Sequence, residues 1–368
     1  MHLERERHYR DAHQVGARRN RSVSILGVRI LLKAAAVVAA CGAVCLGRVG
    51  TLDTVGAAGV VQAVQAGATR GDLTVVTVRP NFFMITGAGG NVGVQVGEDG
   101  VVLTDAGSAD QSANVIAAVK RITPKPIRYI INTGPDADHV GGNEAVSKAG
   151  ETLFTNTRLA GREFLGGGAS ILSAEAVLQR MSVAAGSRPA YAAGGWPTET
   201  FHYPRKYLFL NGEGIEVLHQ PAAHTDGDVF VFFRRSDVVA AGDVLDIRQF
   251  PVIDVERGGS IDGVIAALNR LTELAIPSVP IVSREAGTLI IPGHGRLVDQ
   301  LDVVEYRDMV TIIRDRVRDL AAEGKSLDDV QRAQPARGYV HRYGNESGAW
   351  TTRQFVEAIF RSLPKGTR

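Results

Sequence analysis

Cysteine is almost missing from this chain, and its placement sharpens what the scarcity excludes. Both cysteines, Cys41 and Cys45, fall within the first fifty residues, so the remainder can form neither a disulfide nor a thiolate metal site. Any ion held there needs histidine and carboxylate. An excess of one charge is lacking too. Net charge is +2, but residues 1–33 hold eight Lys or Arg against three acids, leaving −3 for the rest. A body of that sign has no electrostatic reason to seek nucleic acid. Long apolar runs are also wanting: the uncharged stretch 34–47 is shorter than the ~20 residues of a membrane span.

That stretch does suit the apolar part of an export signal. Arg18, Arg19 and Arg21 form a basic start, with Arg29 and Lys33 following. Arg18-Arg19 resembles a twin-arginine pair, although Arg21 and Ser22 stand where apolar residues are usual. Three modes remain open: a lipoprotein-like box, Val38-Ala39-Ala40-Cys41, with Cys41 lipidated; cleavage near Val64-Gln65-Ala66; or an uncleaved anchor reaching upstream to Ile25. The expectation is an exported protein, periplasmic, secreted or anchored, touching a membrane only through this leader or a lipid on Cys41. Residues 48–72 are Gly-, Ala- and Val-rich and read as a linker. The expected organisation is leader 1–47, linker 48–72, body 73–300 and helical extension 301–368.

From residue 73 the pattern alternates. Segments 73–78, 82–86, 91–96 and 101–105 are β-rich and separated by turn residues, which predicts hairpins. Residues 108–122 have helical spacing, 127–132 a buried strand, 144–149 a short helix and 152–155 another strand. A helix is expected near 173–181. The surrounding Gly-rich segment with Trp196 reads as a surface connection or a lid. A second β-rich block follows at 207–210, 215–219, 229–234 and 238–241, with Asn211-Gly212 as its hairpin turn. Helical spacing returns at 261–274, 303–323, 327–333 and 353–363, with a strand at 288–291. Strands, helix, strand, helix, and then the same again, predict an α/β chain of four layers, an αββα sandwich with helices following it.

Four places end an expected strand with metal-capable side chains: Asp136, Asp138 and His139; His224; Asp243; and His294. Glycine stands beside or just past each, which permits close backbone approach. Each alone reads as well as a turn or a satisfied polar residue. Their shared position at one end of the strands points to a common site. Asp226 and Asp228 read as turn and strand-start residues.

From about residue 91 to 295, these motifs resemble the metallo-β-lactamase-fold hydrolases. That family opens its site with His-x-His-x-Asp-His and adds single His, Asp and His residues later; Asp138, His139, His224, Asp243 and His294 fall on those positions. Asp105 falls on an aspartate that commonly steadies the metal loop; by itself it also reads as a helix cap. The first two histidines of the motif are here Gly134 and Asp136. The resemblance implies that Asp138, His139 and His294, with Asp243, keep one complete metal site. The other is reduced to Asp136, His224 and the shared Asp243. One ion rather than two is expected, Zn²⁺ foremost, with Fe or Mn suited to the carboxylate-rich set.

The implied activity is metal-dependent hydrolysis of a small ester, lactone, lactam or related carbonyl compound. The ion brings the pKa of bound water from 15.7 to about 7, so that hydroxide attacks. Catalysis is then expected from Asp138, with Asp136 or His224 orienting water or moving a proton. Two rivals stand beside it: an iron-containing redox protein of the same fold, and a catalytically silent binding module. Oligomeric state is not legible.

Overall fold

Short, largely buried runs broken by tight turns build the first sheet. The computed structural model describes residues 73–153, 158–159, 162–163, 167–185, 188–189, 191–278 and 287–364. The leader and linker expected over 1–72 lie outside the described residues. Strands β1 (Thr74–Arg79), β2 (Phe82–Ala88), β3 (Gly90–Val96) and β4 (Val101–Thr104) pair antiparallel in chain order. Strands β5 (Ile127–Ile131), β6 (Ser170–Ala174) and β7 (Glu199–Phe201) then add in parallel. The second sheet runs β8 (Arg205–Leu210), β9 (Glu213–Gln220), β10 (Asp228–Phe233), β11 (Val238–Asp246) and β12 (Leu289–His294), with only the β11–β12 pair parallel. Asn211 and Gly212 take φ of 55° and 73° at the β8–β9 turn, the left-handed geometry that makes Asn-Gly a hairpin signal.

Three apolar clusters define four layers. Phe82, Met84, Val102, Ile131 and Leu172 of the first sheet meet Val217, Val231, Phe233 and Ile291 of the second. Outside the first sheet, Ile85, Val94 and Ile130 pack on helices α1 (Ser112–Ile122) and α3 (Asn143–Lys148) through Val115, Val119 and Val146. A short helix α2 (Ala137–Val140) precedes α3, and α4 (Glu175–Ser182) follows β6. Outside the second sheet lie α5 (Ile261–Leu274), α6 (Gln300–Ala322), α7 (Leu327–Ala333), α8 (Val340–Tyr343) and α9 (Thr352–Ser362). Leu268, Leu271, Val310, Ile313, Phe355 and Ile359 share one core with Phe230 and Val239. The αββα sandwich with a C-terminal helical region is therefore the observed architecture.

Some details differ from the sequence pattern. Residues 152–155 form no strand where described; the sheet takes Ser170–Ala174 instead, whose side chains are buried on both faces and so show no alternation. The helix expected near 173–181 begins only at Glu175. Helix α6 starts at Gln300 because Asp299 and Asp302 form a reciprocal capping box. Asp243 lies inside β11 rather than at its end, where the pairing with β12 shifts register past Gly242.

The two sheets are also pinned by a buried carboxylate. Glu213, 2% exposed, accepts from Gln95 Nε2 at 2.6 Å, Ser236 Oγ at 2.7 Å and the backbone amides of Arg235 and Ser236 at 3.0 Å. Glu213→Ala leaves these donors without their acceptor and is expected to cost about 3 kcal/mol in urea unfolding. A change within ~0.5 kcal/mol, the range of neutral surface substitutions, would show that the network contributes nothing to stability.

Candidate metal centre

The site forms where loops from both sheets meet at one edge of the sandwich. β4 delivers Asp105, which takes a left-handed backbone with φ 64°. Its carboxylate accepts from the Thr133 amide at 2.7 Å and Thr133 Oγ1 at 2.6 Å, and lies 2.7 Å from His139 Nδ1. Asp105 thus ties the loop after β5 to the end of β4. Because it fixes Nδ1 as the donor, His139 presents Nε2 as its free ligand atom. Gly90 makes room for that ring: a Cβ there would stand 2.8 Å from His139 Cε1. On the other side, Asn91 Nδ2 donates to the carbonyls of Pro292 and Gly295 at 2.9 and 3.0 Å, holding the turn that carries His294. Gly293 likewise needs to be bare, since a Cβ would fall 2.3 Å from Asp243 Oδ1.

Two ligand sets result, joined at Asp243. Asp138, His139, Asp243 and His294 each offer an atom within 4.8 Å of the others, as do Asp136, His224 and Asp243. In the first set His139 Nε2 lies 3.1 Å from Asp243 Oδ1, and His294 Nε2 lies 3.0 Å from Asp138 Oδ2 and 3.5 Å from Asp243 Oδ1. His139 Nε2 and Asp243 Oδ1 are buried and make no hydrogen bond among the described residues. Buried polar atoms are seldom left so. Two of them side by side, aimed at common space, fit a cation between them. Two imidazoles with two carboxylates suit a borderline divalent ion.

The second set is different. His224 Nδ1 donates to the Val252 carbonyl at 2.9 Å, and Nε2 donates to Asp136 Oδ2 at 2.6 Å. Both ring nitrogens face acceptors, so the ring carries both protons. The other oxygen of Asp136 accepts from Arg257 Nη1 at 2.7 Å. Sequence reading gave no hint of Arg257, which sits in an ordinary-looking Asp-x-x-Arg-Gly turn.

Charge follows this geometry. Burial alone would lower the pKa of His224, but the Asp136 hydrogen bond and the charges of Asp228, Asp243 and Asp136 raise it to about 10. Burial would raise that of Asp136, yet His224 and Arg257 hold it down at about 2. Asp243 is also pushed up by burial and pulled below the usual carboxylate range by His139, His224 and His294. For Asp138, the His294 hydrogen bond outweighs burial and lowers the pKa.

These shifts fix a pH dependence for the metal-stripped protein. A raised His224 contributes stability that is complete below its unfolded value of 6.5 and lost as pH rises through about 10. A lowered Asp136 contributes above 3.8 and loses its contribution as pH falls through about 2. Asp228 is buried, is pushed up to about 6 and caps the Thr225 amide at 2.7 Å; its own contribution fades between 3.8 and 6. In EDTA, wild type should therefore exceed His224→Gln in stability most clearly between pH 4 and 6.5, values bracketed by the two unfolded-state pKa values, with the gap closing toward pH 10. A gap that widens with rising pH would contradict the His224–Asp136 pairing.

A cleft of about 540 Å³ opens over both sets, a volume typical of small-molecule sites. Its floor holds Asp136, Asp138, His224, Asp243 and His294, and its far wall is the turn from Asn345 to Trp350. The region after α6 therefore packs on the core and also lines the site. Arg248, also on the wall, is gripped by Asp246 through two bonds of 2.9 Å. Residues 191–196 lean on the metal loop instead: Gly195 accepts from Asn143 Nδ2 at 3.1 Å, and Trp196 Nε1 donates to Tyr191.

The chain belongs to the metallo-beta-lactamase superfamily, whose sequence model matches residues 85–294. The fold of that superfamily implies a divalent metal, and the chain brings together a His/Asp cluster fit to hold one. Among solved structures, a metallo-beta-lactamase from Pontibacter korlensis is similar at 18% identity, covering 65% of this chain and 99% of that one, TM-score 0.48. The sec-alkylsulfatase Pisa1 from Pseudomonas sp. is similar at 15% identity and TM-score 0.53, covering 79% of this chain and 51% of that one. This chain thus spans about half the length of the alkylsulfatase. At such identities the likeness is one of fold. No curated protein sequence matches.

Proposed function

We propose that this protein is a metal-dependent hydrolase that holds one Zn²⁺ on Asp138, His139, Asp243 and His294 and cleaves a small ester, lactone, lactam or related compound. The observation that carries the reading is the buried, unbonded pair His139 Nε2 and Asp243 Oδ1, flanked by Asp138 and His294. When bound, such an ion acidifies water toward neutral pH and polarises the oxygen under attack. The chain's own groups do the rest. Asp105 fixes the orientation of His139, and the Asp136–His224 pair holds a proton at Nε2 beside the cleft, where it can pass to a leaving group. Arg248 and the turn at Asn345–Trp350 shape the wall against which the substrate lies. Export through the leader is part of the same proposal and is read by cell fractionation.

The test is metal add-back. Stripped protein is offered Zn²⁺, Mn²⁺ or Fe²⁺ with a panel of esters, lactones, lactams and, because of the name Pisa1 carries, a secondary alkyl sulfate. Hydrolysis restored by about one equivalent of Zn²⁺ is the expected result. A silent panel with all three ions would favour a binding module, and purification with iron in excess of zinc would favour the redox reading.

A further inference from the structure

Arg257 stands where the second metal set needs a cation, and it is built in rather than borne on a loose surface loop. Its Nε donates to Asp254 Oδ2 at 2.6 Å, and its backbone amide donates to Asp254 Oδ1 at 2.9 Å. Its carbonyl accepts from the Asp226 amide at 3.0 Å and Arg180 Nη2 at 2.9 Å. Arg180 is itself paired with Asp226. The same turn wraps His224: the Asp254 amide donates to the His224 carbonyl at 3.0 Å, and Gly259 passes so close that a Cβ would stand 2.2 Å from that oxygen. The guanidinium therefore reaches Asp136 from a fixed platform.

The geometry points to Arg257 as the resident cation of the Asp136–His224–Asp243 set, filling the electrostatic place of an ion and keeping the centre mononuclear. Both carboxylate oxygens of Asp136 are engaged, one by Arg257 and the other by His224. An ion taking Asp136, His224 and Asp243 would have to sit against a guanidinium that cannot be discharged, held 2.7 Å from Asp136 Oδ1. Gly134 adds no ligand there, although its backbone is not left-handed and a Cβ would meet only Asp228 Oδ1 at 3.5 Å. A β-carbon at residue 134 would thus be admitted. The inference rests on the single-ion hydrolase reading and extends it by naming what excludes the second ion.

Metal stoichiometry decides it without reference to turnover. The purified full chain is stripped, equilibrated with excess Zn²⁺ and desalted, and zinc is counted per chain by inductively coupled plasma mass spectrometry. Wild type should hold one zinc and Arg257→Ala two, with the added ion lost again in Arg257→Ala/Asp136→Asn. Arg257→Gln, close in size but neutral, provides the same reading should the alanine variant not fold. One zinc in both neutral variants would overturn the role given to Arg257 while leaving the hydrolase reading intact; two zinc ions in wild type would overturn that role and the single-ion count with it. No zinc in wild type would overturn both.

Discussion

Asp243→Asn is expected to leave the protein folded and without its ion. Asp243 is the one residue common to both ligand sets, and its Oδ1 lies within 3.5 Å of two imidazole nitrogens. Asparagine keeps the shape but removes the charge that draws a divalent ion into a partly buried pocket. It also places a weaker neutral oxygen, or an amide nitrogen, against His139. Zinc content should drop from one per chain to none, and hydrolysis should fall by roughly a thousandfold or more, since without the ion water keeps a pKa near 15.7. The metal-free protein should stay folded but melt below the metal-free wild type at neutral pH, because the charge that His139, His224 and His294 favour is gone. Retention of stoichiometric zinc in Asp243→Asn would place the ion elsewhere.

Asp105→Asn should act one bond further out and lose less. Asn tolerates the left-handed backbone that Asp105 adopts, so the turn survives where alanine would add strain. The loss is chemical. One oxygen becomes an NH₂ group, and either the His139 Nδ1–H or the Thr133 contacts at 2.6 and 2.7 Å lose an acceptor. His139 is then free to turn or to change tautomer, which takes Nε2 off target. Partners of this kind typically contribute about 10–100-fold to metal affinity or activity, and zinc titration with a competing chelator should show a loss in that range. Unchanged affinity would reduce Asp105 to a loop tether.

Much of this was legible in the sequence for a simple reason. Strand-to-loop transitions bearing Asp, His and Gly mark themselves through an abrupt change of pattern, as at Ile131 to Gly142 and at Ile291 to Gly295. Long apolar periodicity likewise placed α5 over Ile261–Leu274 without error. Asn211-Gly212 gave its hairpin because few other residues accept that backbone. What stayed hidden depends on tertiary contact. Ser170–Ala174 is buried on both faces and carries no alternation. Arg257 looks like any surface arginine until folding brings it to Asp136 across 121 residues of chain. Asn91 and Asp246 are equally anonymous in sequence, for they act through backbone carbonyls and through Arg248. The turn from Asn345 to Trp350 reaches the cleft only because α6 and α9 pack on the second sheet.

Zinc-edge anomalous diffraction from crystals of the wild-type protein tests the central claim most directly. One peak per chain should appear about 2.0–2.3 Å from donor atoms of Asp138, His139, Asp243 and His294, the distances zinc keeps to carboxylate oxygen and imidazole nitrogen. A peak lying away from these four side chains, or no peak at all from crystals grown with zinc, would contradict it.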